Sequence, residues 1–260
     1  MNYFFFLDHP DSNLSSSVEV SNFEPIPVFY KKKKKEKKNI YLFYIENSHW
    51  ENEIFDEIEY GYTKVIKKND LPINIRNKNV FITLSSKNLK KYDPPFDDKS
   101  LNTTPSWRAN IKIFSSNAAC SYQGEIPGGF INKNLSLVSC SPFIQTNNAS
   151  IQNYFYLVNL MQNPATHQFD VEILNTSKQV LNTIKCHTNK VNLCDLSFLD
   201  CLNDKMFIFR SSKYGGIPLY FSKNLDNTQM SLEHTHPPTE YLFSGDRLSF
   251  QKKKKSYWFV

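Results

Sequence analysis

The segment Trp107-Arg108-Ala109-Asn110-Ile111-Lys112-Ile113-Phe114 places Trp107, Ala109, Ile111 and Ile113 on one side and Arg108, Asn110 and Lys112 on the other. That period of two belongs to a half-buried β-strand. Runs of this kind fill the chain. Ile40–Ile45, Val80–Leu84, Leu135–Ser139, Tyr154–Val158, Phe169–Leu174, Gln179–Ile184, Met206–Arg210, Ile217–Phe221 and Gln229–Thr235 are short and rich in β-branched and aromatic residues. Turn signals such as Asn175-Thr176-Ser177-Lys178 and Leu225-Asp226-Asn227 separate them. Strands spaced by about 8–12 residues with turns between them predict an antiparallel sandwich or barrel. No segment carries a long 3.6-residue period, so helix is expected only in short pieces, such as a helical turn over Cys194–Leu202.

Length allows one large β domain or two units of about 110–130 residues each. A short internal match favours two. Ser121-Tyr122-Gln123-Gly124-Glu125-Ile126-Pro127 and Ser231-Leu232-Glu233-His234-Thr235-His236-Pro237 share Ser, an amide or carboxylate two residues on, and Pro six residues on. An arginine-bearing strand precedes each copy, with Arg108 before the first and Arg210 before the second. The expected fold is therefore mainly β, with two related, duplicated antiparallel β-sandwich units behind a flexible N-terminal arm. The boundaries expected are an arm over residues 1–38, unit 1 over 39–146 and unit 2 over 147–260. The arm, with Ser15–Ser17, Pro25, Pro27 and the lysine run, reads as partly disordered or as packed on the body through Phe4–Leu7.

Composition excludes several function classes. With only 7 Gly in 260 residues, the chain has no GxxxxGK[ST] and no GxGxxG phosphate loop. The net charge of +6 is concentrated in the KKKKKEKK run at 31–38 and the KKKK run at 252–255. Such runs bind polyanions when they sit on a folded basic face and are otherwise solvated, which argues against nucleic acid as the main partner. No 18-residue apolar run predicts a membrane span, although the basic then aromatic end, Lys252–Val260, has the chemistry for weak contact with an anionic membrane surface. Five cysteines without a CxxC pair are unlike a secreted disulfide framework, and a reducing, cytoplasmic location is expected.

Chemistry concentrates at His234, His236 and Glu240. On a strand, residues i and i+2 point to one face with Cβ atoms about 7 Å apart, close enough for two imidazoles to share a divalent metal such as Zn, Fe or Mn. The stretch His234-Thr235-His236-Pro237-Pro238-Thr239-Glu240 resembles the first metal motif of cupins, HxHxxxE. No histidine follows His236, so the second cupin motif has no counterpart. Arg108, Gln123, Glu125, Arg210 and Glu233 are the candidate ligand-binding groups. Arginine forks suit carboxylates or phosphates, and amide and carboxylate groups beside Tyr122 and Trp107 suit a sugar. Internal pairing of Arg108 with Glu125 and of Arg210 with Glu233 is the competing structural role. Two functions follow as expectations. The first is a non-catalytic binding or accessory protein for a glycan or a protein. The alternative is a metal-dependent enzyme at His234, His236 and Glu240.

Overall fold

The computed structural model describes residues 2–23, 36–96, 110–123, 126–127, 131, 136–141, 150–199, 206–234, 253 and 255–259. The chain divides into two compact units. The first is Met1–Lys133 with Leu160–Thr166 and Asn189–Val191; the second is Asn134–Asn159, His167–Thr188 and Asn192–Val260. Both are built from antiparallel sheets, and the protein is mainly β.

Unit 1 contains β1 (Asn2–Phe5), β2 (Ser15–Ser21), β3 (Lys38–Glu46), β4 (His49–Ile58), β5 (Thr63–Lys67), β6 (Phe81–Ser85), β7 (Asn110–Phe114), β8 (Ala119–Gln123) and β9 (Ile126–Pro127). They form two sheets, β4-β3-β6-β1-β9 and β5-β2-β7-β8. The β3–β4 hairpin closes on Asn47 and Ser48, both at positive φ (48° and 65°), with Glu46 opposite His49. Two consecutive left-handed residues give a turn whose twist matches that of the strands. Phe4, Ile40, Leu42, Tyr44, Ile82 and Leu84 of one sheet share a buried cluster with Val18, Val20 and Ile66 of the other. The opposite face of β3 and β6 is also buried, through Tyr41, Phe43 and Phe81.

Unit 2 contains β10 (Leu137–Cys140), β11 (Ile151–Val158), β12 (Gln168–Leu174), β13 (Val180–His187), β14 (Val191–Asp195), β15 (Ile208–Ser211), β16 (Ile217–Asn224) and β17 (Met230–Glu233). Its sheets are β10-β15-β12-β13 and β14-β11-β16-β17. Their common core is aromatic. Phe209 on β15 stacks on Phe155 of β11 with centroids 4.5 Å apart and meets Tyr220 of β16 edge-on at 5.2 Å. The Tyr220 hydroxyl donates to Ser139 Oγ at 3.1 Å, which satisfies a buried polar group within the cluster.

The connectivity of the two units coincides. The order β4-β3-β6-β1 matches β13-β12-β15-β10, and β5-β2-β7-β8 matches β14-β11-β16-β17, strand n of unit 1 standing where strand n + 9 stands in unit 2. The Ser121 and Ser231 segments fall on equivalent strands, since β8 and β17 each close a hairpin at a sheet edge. Residue by residue they are out of step. Ser121 lies opposite Lys112, whose neighbours in the ladder, Ile111 and Ile113, point to the core; Ser231 lies opposite Ser222 in the row of Asn153, on the core-facing side with Phe155.

Residues 2–23 take the packed alternative expected for the arm, since β1 and β2 pair with β6 and β7 and bury Tyr3–Leu7, Val18 and Val20. The Ser-rich stretch is the strand β2. Its alternation puts Ser16 inward, where its Oγ accepts the Leu7 N–H at 2.8 Å. Two other expectations need correction, the unit of the Leu135–Ser139 strand and the helical turn at Cys194. The Leu135–Ser139 strand, placed in unit 1, becomes β10 of unit 2 and is the counterpart of β1. The start of Cys194–Leu202 is strand rather than helix, since Cys194 and Asp195 finish β14 before a turn in which Leu199 N–H reaches Leu196 O.

Candidate functional site

The proposed metal ligands fall mostly outside the described residues, which include His234 but not His236 or Glu240. His234 follows β17 directly and is half-buried. Its Nδ1 lies 2.8 Å from Pro218 O, so in the neutral ring the proton sits on Nδ1 and Nε2 carries the lone pair. Among the described residues no group of three His, Cys, Asp or Glu side chains converges as a metal set would.

Arg108 and Glu125 also lie outside the described residues. Arg210 is described, and its expected partner is corrected. Its Nε donates to Glu172 Oε2 at 2.6 Å, and its NH1 donates to Trp258 O. Glu172 stands directly opposite Arg210 in the β12–β15 ladder, so cross-strand register selects it over Glu233. Glu233 sits exposed on β17, in the other sheet of unit 2, and accepts from Ser231 Oγ at 3.3 Å. Gln123 is exposed at the end of β8, opposite Asn110. Arg210 and Glu233 therefore do not share a site within unit 2.

The aromatic content is largely consumed by the cores. Tyr3, Phe4, Phe5, Tyr41, Phe43, Phe81, Phe155, Tyr156, Phe209 and Phe221 are all buried. The large exposed aromatics among the described residues are Tyr62, Tyr92, Phe198 and Tyr257, and lysines lie over two of them: Lys91 over Tyr92 and Lys178 over Tyr257. Of the described cysteines, Cys186 is buried and Cys120, Cys140 and Cys194 are half-buried. Burial pushes the Cys186 thiol up to about 12 and Cys194 up to about 11, well above the pKa at which a thiolate nucleophile forms near neutral pH. The Lys37 end of the basic run pairs with Glu57 and Glu59 on unit 1; Lys31–Lys35 lie outside the described residues. Among the described residues no helix is long and apolar enough to cross a membrane.

The outer edge of β13 is a feature that sequence patterning did not single out. In an antiparallel strand both backbone groups of one residue point to the same side, and the side alternates from residue to residue. The His187 N–H donates to Asn192 Oδ1 at 2.7 Å, and Asn192 Nδ2 donates to His187 O at 2.9 Å, so His187 points away from β12. Lys185 and Thr183 share that direction. The Thr183 N–H is taken by Asn182 Oδ1 at 2.7 Å. The N–H and C=O of Lys185 and the C=O of Thr183 are left without a partner among the described residues, next to the exposed side chains of Val180 and Leu181.

Its unit 1 counterpart, β4, is guarded. There the outward Asn52 N–H donates to Lys91 O at 2.8 Å, and Asn52 Nδ2 donates to Lys90 O at 2.7 Å and Asp93 O at 3.0 Å. The strand also carries Glu51, Glu53, Asp56 and Glu57, whereas β13 carries only Lys185, tied to Asp170 at 2.5 Å. Charge and coverage are the usual protections of an edge strand. No known family, curated protein or solved structure matches the chain.

Proposed function

We propose that this chain is a non-catalytic binding or accessory protein, made by internal duplication of one antiparallel β-sandwich unit, and that its ligand is protein rather than glycan. The duplication is supported by the shared strand order of β1–β8 and β10–β17. The observation that carries the functional reading is the contrast between edges at the same place in the strand order, with β4 covered and acidic and β13 nearly uncharged and left, among the described residues, with unpartnered main-chain groups at Thr183 and Lys185. An uncovered edge of that kind accepts an extended segment by strand addition, with Lys185 and Thr183 supplying the main-chain bonds. The free thiols of Cys186 and Cys194 fit a reducing, cytoplasmic compartment.

The test is site-specific photo-crosslinking in the source cells, with the reactive residue at Thr183 on β13 or at Glu53 on β4. A single protein adduct of defined mass from Thr183 and none from Glu53 is expected. Equal labelling from both positions, or no protein adduct from Thr183, removes the reading.

One observation favours the metal alternative. A histidine that donates Nδ1–H to a backbone carbonyl, as His234 does to Pro218 O, presents Nε2 in the form that metals bind. The content of Zn, Fe and Mn in the purified protein decides it.

A further inference from the structure

The face of sheet β10-β15-β12-β13 that carries Arg210 is covered by residues of the C-terminal segment. Val138, Arg210 and Glu172 form one cross-strand row, and Cys140, Ile208 and Leu174 form the next row on the same face. Val138, Leu174 and Ile208 are buried there, and Trp258 and Phe259 pack against them together with Cys140 and Met206. The row Cys140, Ile208 and Leu174 is aliphatic or sulfur-bearing, beside the Arg210–Glu172 pair of the neighbouring row. The large rings are brought by the C-terminal segment, whose Tyr257–Phe259 form one 3-10 turn.

Lys178 of the β12–β13 turn and Arg210 of β15 fix the main chain of that segment. Lys178 Nζ donates to Tyr257 O at 2.8 Å and stands 3.6 Å from the centre of the Tyr257 ring. Arg210, held by Glu172, donates to Trp258 O, and its guanidinium lies 6.0 Å from the centre of the Phe259 ring. Lys255 of the segment donates to Ser136 O at 2.9 Å. Two consecutive carbonyls read by two fixed cations, beside an apolar row that takes two aromatic side chains, is how a protein surface holds a short peptide. The bonds described run from side chains to main chain and do not extend the sheet ladder, so the segment can leave without breaking a strand pair.

We propose that this face is a recognition site for a protein segment with adjacent aromatic residues beside a basic one, and that the C-terminal residues Lys255–Phe259 occupy it in cis. The inference deepens the protein-binding reading and rests on it for the class of ligand; the affinity of the site itself is measurable without it.

The experiment uses a fluorescein-labelled peptide of residues 253–260 and the full-length chain. A tethered segment acts at an effective concentration in the millimolar range, so the wild type should bind the free peptide at least about tenfold more weakly than a Trp258→Ala/Phe259→Ala variant whose own segment is withdrawn. Adding Lys178→Gln and Arg210→Gln to that variant should cost about tenfold in affinity, as two charge-assisted bonds are lost. Absence of binding to the double variant at about 1 mM peptide, or equal affinity for variant and wild type, overturns the proposal. Should the double variant lose its folded circular dichroism spectrum, the wild type labelled with 5-fluorotryptophan gives the same answer. The Trp258 fluorine signal must move to its solvent position as peptide is added, and an unmoved signal overturns the proposal. Failure here removes this face and leaves the β13 edge to be judged by crosslinking at Thr183.

Discussion

Replacing Phe209 by Ala should be the most damaging single change in unit 2. Phe209 is 0% exposed, stacks on Phe155 at 4.5 Å and meets Tyr220 at 5.2 Å, so it joins strands of both sheets. Truncation of a buried Phe to Ala costs about 3–5 kcal/mol, from lost transfer energy and the cavity left behind. Two well-oriented ring contacts place this site in the upper part of that range, at about 4–5 kcal/mol. Against a typical stability of about 5–15 kcal/mol the loss brings the unit close to unfolding. For a unit of this size each kcal/mol shifts Tm by about 3–4 °C, so a fall of about 15 °C is expected. Urea denaturation followed by near-ultraviolet circular dichroism measures it, with an unchanged m-value as the check that the native state is intact. Phe198→Ala is the control; its ring is 44% exposed, and a change within about 0.5 kcal/mol is expected. A Phe209→Ala cost below about 1 kcal/mol, or equal to that of Phe198→Ala, would refute the shared aromatic core.

Two further outcomes follow from local geometry. A Cβ on Gly216 would lie 2.2 Å from Val158 O, so Gly216→Ala must push β16 off β11 and should cost about 1–3 kcal/mol by thermal melt; a neutral result contradicts the close β11–β16 approach. The raised Cys186 and Cys194 thiols keep their protons in the folded state after the unfolded chain has lost them. Stability from these groups is therefore complete below about pH 8.5 and declines as pH rises toward the folded values of about 11 and about 12. Urea titrations across that window should show the decline in the wild type and a flatter profile in Cys186→Ala/Cys194→Ala; parallel profiles would contradict the burial of these thiols.

Much of the β architecture is legible in the sequence, because hydrophobic alternation is a local property. Ile40–Ile45, Tyr154–Val158 and Phe169–Leu174 lie within β3, β11 and β12. The misses have physical reasons. In β2 both Ser16 and Ser17 are buried and Ser15 is exposed, so apolar contrast is weak until Val18 and Val20. Its burial depends on the Leu7 N–H that Ser16 accepts, a contact invisible in sequence. In β4 the run of acids masks a ten-residue strand whose pairing is set by the Asn47-Ser48 turn.

The site was less legible. The sequence places Arg210 on a strand, but its partner Glu172 is fixed by register across sequentially distant strands, not by proximity along the chain. The Ser121 and Ser231 segments begin on β8 and β17, which hold the same place in the strand order, but the match aligns residues that face opposite ways. The β13 edge, with main-chain groups unpartnered among the described residues, has no signature of its own. It emerges only when β13 and β4 are seen to be equivalent and one is found covered by the 90–93 turn.

The non-catalytic reading meets its most direct test in the metal content of the untagged protein, by elemental analysis of wild type and His234→Ala/His236→Ala. The account predicts a wild type with less than about 0.1 equivalent of Zn, Fe or Mn and a double variant of the same composition. About one equivalent of a single metal in the wild type, lost in the double variant, would contradict it and make the segment after β17 a metal centre.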